Sequence, residues 1–206
     1  MARLNNKLLA DSSGKLDLLV VYQMFGNTYV RTRPGKYRDR KSPAQLAQRQ
    51  KMQLVTTFLR PFKELLRITF ASEAQGRTAY HAAKSYNLKH GLCGEYPHQA
   101  IDSDKALLSY GPLNLPQEIK VTRQSGGLLF EWEKNLGDSA ASDTLLVMAF
   151  NPLTLQMDYR FTGIHRNTGN CLWNTPLSQS GDELEVWLAF RNREETLMSD
   201  SRHVKV

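Results

Sequence analysis

From residue 118 onward apolar positions recur with a period of two: Ile119-Val121, Leu128-Phe130-Trp132, Leu145-Val147-Ala149, Met157-Tyr159-Phe161, Leu184-Val186-Leu188-Phe190 and a last segment over Met198–Val206. Turn-forming clusters separate them: Ser125-Gly126-Gly127, Asn135–Ser142, Asn151-Pro152, Gly163–Gly169 and Ser178–Asp182. Alternate side chains of a strand face opposite sides of a sheet, so short strands at this spacing predict an antiparallel sandwich. The earlier half has a different pattern. Lys15–Met24 is a predicted strand between Gly14 and Gly26. Gly26-Asn27 supplies residues that tolerate positive φ, and Thr28–Arg31 returns, giving a hairpin over about 15–32.

Ser42-Pro43 opens a helix, with Ser as N-cap and Pro at the first helical position. Val55, Phe58, Leu59, Phe62, Leu65 and Leu66 follow helical spacing and form one stripe, while Arg49, Arg60, Lys63 and Arg67 fall in an arc opposite. Pro61 disfavours helical geometry at Arg60 and predicts a kink or two abutting helices within about 43–70. A further helix is expected over about 75–90, with Ala79, Ala82, Ala83 and Tyr86 on one face and Gly91 as C-cap. Leu92–Ser103 reads as irregular and Lys105–Tyr110 as a short strand. The fold expected is α+β: an N-terminal hairpin plus helices over 1–116, then a C-terminal antiparallel β-sandwich over 117–206.

Composition agrees with a chain that buries a core: 206 residues are 41% hydrophobic and 23% charged. No run of 18 apolar residues exists, so no transmembrane helix and no membrane partner is expected. The first fifteen residues lack the continuous apolar stretch of a signal peptide, which predicts a cytoplasmic location. Cys93 and Cys171 cannot form a disulfide framework and are expected as thiols.

Charge changes the picture more than composition does. The formal +7 divides into 18 Lys+Arg against 8 Asp+Glu in residues 1–116, and 9 against 12 in 117–206. Arg31–Arg67 alone holds 11 basic residues and two acids, Asp39 and Glu64. A cluster this unopposed points to a local polyanion contact, beyond the solubilising role that most charge runs serve. The candidate contacts are Arg31, Arg33, Lys36, Arg38, Arg40 and Lys41 on the loop and Arg49, Arg60, Lys63 and Arg67 on the helix, with Tyr37 placed to stack on an exposed base.

Two resemblances add to this reading. The segments IKVTRQSGGLLFEWEKN, DTLLVMAFNP and DELEVWLAFRN resemble a fibronectin type III or related immunoglobulin-like domain, with Trp132 closing the second strand. The tyrosine such domains often carry at the start of the sixth strand is absent, and Leu184 stands near that position. Nearly the whole chain, through SGKLDLLVVYQMFGNTYVRTRP, SPAQLAQRQKMQLVTTFLRPFKELL and TAYHAAKSYNLKHGLCGEYP, resembles a family of bacterial proteins of this length whose function is not established. That resemblance implies architecture, not activity. The AQLAQR block is also faintly similar to short basic segments of phage-associated proteins.

Enzyme chemistry finds little support in the residues. Ser12-Ser13-Gly14-Lys15 lacks the earlier glycine of a phosphate loop and continues with Leu16 in place of Ser or Thr. His90, Cys93 and His98 are suitable zinc ligands without the fourth that a structural site needs, so no metal or other cofactor is expected. Glu131 and Glu133 alternate with Phe130 and Trp132, the ordinary outward pattern of a strand. The expectation is therefore no catalytic residue and a non-enzymatic protein whose basic half contacts a polyanion, nucleic acid first, without sequence specificity. The alternative is a structural or assembly protein, a subunit of a larger particle or filament of phage or mobile-element type. Its partner would then be an acidic protein surface or another copy of the chain.

Overall fold

A computed structural model describes residues 2–4, 12–36, 38–134, 141–179 and 181–206. Element style changes after Pro116, from mixed to strands joined by turns and two short 3-10 helices, Arg166–Thr168 and Pro176–Gln179. Compactness divides the chain elsewhere, into Met1–Pro43 and Ala44–Val206, so the N-terminal hairpin lies in the first unit and the helices in the second.

The first unit is a four-stranded antiparallel sheet of β1 (Ala2–Leu4), β2 (Gly14–Leu16), β3 (Leu19–Met24) and β4 (Asn27–Thr32), in the order β1-β4-β3-β2. The β3–β4 hairpin turns on Phe25-Gly26, one residue earlier than expected, with Met24 paired to Asn27. Both turn residues have positive φ, 50° and 73°, the mirror-type turn whose twist matches that of the strands it joins. The single strand expected over Lys15–Met24 is instead two. Asp17 takes a left-handed φ of 46°, which a short polar side chain tolerates, and β2 folds back onto β3 there.

The second unit carries α1 (Pro43–Leu59, all but its first residue), α2 (Lys63–Thr69) and α3 (Ala79–His90). Pro61 separates α1 from α2, as its missing N–H and its restriction of Arg60 require. The Thr78 hydroxyl accepts from the His81 N–H and caps α3, and Gly91 follows as its C-cap. A small hairpin, β5 (Leu92–Cys93) with β6 (Ala100–Ile101), lies within the stretch expected to be irregular.

Seven strands complete the unit: β7 (Ile119–Gln124), β8 (Gly127–Trp132), β9 (Thr144–Asn151), β10 (Gln156–His165), β11 (Asn170–Trp173), β12 (Glu185–Arg191) and β13 (Arg202–Lys205). They form a three-stranded sheet, β11-β8-β7, and a four-stranded sheet, β10-β9-β12-β13. The strand β11 was not anticipated, because only Cys171 and Trp173 mark its inward face. Gly127 has a φ of 138°, and a Cβ there would run into the Trp173 backbone carbonyl, so glycine permits the close approach of β8 and β11.

The four-stranded sheet is covered on both sides. Leu145, Val147 and Ala149 of β9, with Val186, Leu188 and Phe190 of β12, join Leu128, Phe130, Trp132 and Trp173 in the sandwich core. The intervening residues Leu146, Met148, Phe150, Trp187 and Ala189 face the other way, into a core shared with Val55, Phe58, Leu59, Phe62, Leu65 and Leu66 of the helical stripe. Rings of Phe58 and Phe62 meet Phe150 and Trp187 at centroid distances of 5.8–6.4 Å, within the range of favourable edge and tilted contacts. Every residue of β9 after Thr144 is buried, as doubly covered strands require.

The strand expected at Lys105–Tyr110 does not form. Ala106–Ser109 are buried without a ladder, and side chains satisfy their backbone. Asn87 donates to Leu107 O and accepts from Leu107 N, the Thr69 hydroxyl donates to Leu108 O, the Ser201 hydroxyl accepts from Leu108 N, and Trp187 Nε1 donates to Ala106 O.

Candidate functional site

The basic residues selected from the sequence fall in both units. Arg31 lies in β4, one residue before its end at Thr32, and Arg33, Lys36, Arg38, Arg40 and Lys41 follow on a segment whose described residues form neither helix nor strand. Pro34 and Gly35 end the sheet, and Ser42 precedes the first helical residue, Pro43. All six cations are exposed, with Asp39 the single acid among them, its carboxylate accepting from the Lys41 backbone N–H at 3.2 Å. Tyr37 lies outside the described residues.

In the second unit, Arg49 lies on α1, Arg60 in the break after it, and Lys63 and Arg67 on α2. All four are exposed, but the arc counted along one continuous helix is interrupted at Arg60. Arg67 is also engaged by Glu64 at 2.6 Å, three residues back on α2. Arg67 thus carries a counter-charge, and the four helical candidates are spread over α1, the break at Arg60 and α2 rather than along one helix.

The first unit holds a feature the sequence reading passed over. Arg3, Tyr29 and Tyr22 are register partners across β1, β4 and β3, and Arg31, Val20 and Lys15 are partners across β4, β3 and β2. Paired residues share a face, and the two rows are two residues apart along each strand, so all six share the same face. The tyrosine rings stack at 5.7 Å with an interplanar angle of 23°, and the Arg31 guanidinium lies over the Tyr22 ring at 5.9 Å. Arg3, Lys15 and Arg31 are exposed and the tyrosines partly so. The described residues of these strands include no acid. The opposite face carries Ala2, Leu4, Leu16, Leu19, Val21 and Val30, with Val21 buried. Tyr22 and Tyr29 are placed symmetrically about the Phe25-Gly26 turn, and counting outward from a two-residue loop would have paired them.

A second constellation missed in the sequence surrounds His203 on β13. Its Nδ1 meets the Asp104 carboxylate at 2.6 Å, its Nε2 meets the Glu185 carboxylate, and its ring packs on Trp187 at 5.0 Å. A carboxylate at each ring nitrogen favours the imidazolium, whose two N–H groups can both donate. Burial of the ring pulls its pKa down, but hydrogen bonds and charge from Glu185 and Asp104 outweigh this and hold it above the ordinary value. The hydrogen bond with His203 in turn holds the Glu185 carboxyl below its usual range against the opposing effect of burial. Ninety-nine residues separate His203 from Asp104, so no local pattern announces the cluster.

The remaining sequence candidates do not converge. Cys93 and Cys171 are free thiols, Cys93 exposed and Cys171 buried with its thiol pKa pushed up by desolvation. His90 packs its ring on Tyr86 at 4.9 Å, and His98 is exposed. Among the described residues no three His, Cys, Asp or Glu side chains are grouped to hold a metal ion. Glu131 and Glu133 are exposed beside the buried Phe130 and Trp132, as strand alternation requires. Among the described residues no helix is long and apolar enough to cross a membrane.

A family model described as a family of unknown function (DUF6266) matches residues 11–204. Neither curated proteins nor solved structures include a match to this chain.

Proposed function

The chain belongs to this family of unknown function, and from its own surface we propose a non-enzymatic binding role: the basic N-terminal segment holds a polyanion, nucleic acid first, without reading base sequence. The observation that carries this reading is the exposed run from Arg31 to Lys41, six cations with Asp39 as the only acid. Exposed Lys and Arg on an extended segment can each approach a phosphate, and each contact gains from counterion release. Past Thr32 the described residues of the segment form no helix or strand, so they offer no helix or ribbon with which to read a groove.

The test is fluorescence anisotropy with labelled DNA and RNA of mixed sequence. Affinity is expected to be similar across sequences and to fall steeply between about 50 and 200 mM salt. Replacing Arg33, Lys36, Arg38 and Arg40 with Glu should weaken binding at least about a hundredfold at low salt. Absence of binding by the unaltered protein at low salt, or unchanged binding by the four-site variant, refutes the reading.

The sandwich belongs to the same proposal as the fibronectin type III variant of the immunoglobulin architecture. Support comes from its strand distribution. The first, second and fifth strands form one sheet and the third, fourth, sixth and seventh the other, so the fourth strand pairs with the third, unlike the constant-type immunoglobulin arrangement. The assembly reading has one observation in its favour: Leu153 and Leu155 in the β9–β10 turn are 78% and 51% exposed. A cytoplasmic location is supported by Cys93, an exposed thiol of the kind a reducing compartment preserves.

A further inference from the structure

We infer that the cationic face of the N-terminal sheet binds single-stranded nucleic acid, stacking unpaired bases on the Tyr22–Tyr29 pair while Arg3, Lys15 and Arg31 hold the flanking phosphates. This rests on the polyanion reading above and narrows it to one class of ligand. Three features of the face support it together.

The first is amphipathicity. The sheet turns Leu4, Leu16, Leu19, Val21 and Val30 to one side and places its tyrosines and three cations on the other. Tyrosines on the polar side of a small sheet offer flat apolar rings next to water. Stacking on a base uses such a ring fully, and every base has a π-face, so the contact is indifferent to sequence.

The second is the spacing of charge around the rings. Arg3 is the direct neighbour of Tyr29 on β1. Arg31 and Lys15 lie in the adjacent row, about 7 Å along the strands. The rings therefore have cations on both flanks, which suits a strand whose bases lie on the rings and whose backbone passes to either side. A duplex keeps its base faces covered by neighbours and offers phosphates alone. The tyrosines are useless to it.

The third is the contact between Arg31 and Tyr22. The guanidinium stands 5.9 Å from the ring centroid, at the outer limit of a cation–π interaction. An incoming base can take that position at little cost, and the displaced guanidinium is then available to a phosphate. Arg31 is also the first cation of the Arg31–Lys41 segment, so the face and the segment share a residue within the same unit.

The experiment uses the full chain and five probes: labelled oligo(dT) and oligo(U) of about 15 nucleotides, a duplex of the same length, heparin as a polyanion without bases, and polyglutamate as an acidic polypeptide. The expected result is binding of oligo(dT), oligo(U) or both at least about tenfold tighter than of the duplex at equal salt, the two single strands separating a DNA from an RNA ligand. Tyr22→Val combined with Tyr29→Val keeps strand-forming residues at both positions. It should reduce single-strand affinity about tenfold or more while leaving duplex affinity and the salt slope unchanged. Tyr22→Phe with Tyr29→Phe keeps the rings and should restore single-strand binding. A circular dichroism spectrum matching that of the unaltered protein shows the variants folded.

Equal affinity for single strand, duplex and heparin, with no loss in the valine variant, overturns this inference and leaves the polyanion reading standing. In that case the tyrosine pair is a cross-strand contact of the sheet alone. No binding of any nucleic acid at low salt, with binding of polyglutamate instead, overturns both in favour of an acidic protein partner.

Discussion

The four-stranded sheets of the two units have opposite surroundings. In the second unit, β9 and β12 are buried on both faces, between the helices and the three-stranded sheet, and Leu146, Val147, Met148 and Ala189 are wholly removed from water. In the first unit, Val21 and Thr28 are the only buried residues described, while Leu16 and Leu18 are 61% and 70% exposed. Doubly covered strands such as β9 and β12 leave almost no side chain with which to touch a ligand. A sheet with one cationic and aromatic face leaves several. The difference separates a buried core in residues 44–206 from an exposed cationic face in residues 1–43, which under the proposed binding role is the contact surface.

Core truncation should sharpen that contrast most. Phe62→Ala removes a wholly buried ring that meets Phe58, Phe150 and Trp187, and should cost about 4 kcal/mol in chemical denaturation. Val21→Ala in the first unit removes about two methyl equivalents and should cost about 1.5 kcal/mol. Equal losses would break the comparison.

A second test lies where the sandwich buries charge. Arg166 pairs with Asp143 at 3.7 Å with both side chains almost fully buried, donates to Asn114 O at 2.6 Å, and lies over the Phe190 ring at 4.9 Å. Burial pushes the Asp143 carboxyl up, and the Arg166 charge opposes that shift. Asp143→Ala leaves the guanidinium without its counter-charge and should cost about 3 kcal/mol, whereas Arg67→Ala, which breaks an exposed pair with Glu64, should change stability by about 0.5 kcal/mol or less.

The smallest effect is a pH dependence confined to the second unit. His203 has a raised folded pKa, so its contribution is whole below its ordinary 6.5 and is lost as pH climbs through the folded value. Glu185 behaves in the opposite sense. Its folded pKa is lowered, so its contribution is present above its ordinary 4.5 and is lost as pH falls through the folded value. Melting followed from pH 6 to 9 should show a decline that His203→Gln removes. A decline of equal size in that variant would place the titration elsewhere.

Much of the local architecture was legible in residue order. The helical stripe from Val55 to Leu66, the break at Pro61, the cap at Gly91 and the loop character of the basic segment each depend on neighbours within a few positions. The candidate site was legible in part. Arg31 and the loop cations stood out by charge, while Tyr22 and Tyr29 went unread because the turn was placed one residue late, which shifts every pair across the hairpin. The β-strand expected at Lys105–Tyr110 failed for a different reason. Its apolar run is buried, but its backbone partners are Asn87, Thr69, Ser201 and Trp187, side chains from distant elements.

By itself, then, the amino-acid order determined the elements whose cause is local: periodicity, turn chemistry, proline breaks and the uneven distribution of charge. Tertiary structure alone decided that β9 and β12 have two buried faces, that the helices cover one of them, and that His203 meets Asp104 and Glu185. A period-two pattern records which side chains share a face. It does not record what each face will be packed against, because that partner is supplied by chain far away in sequence.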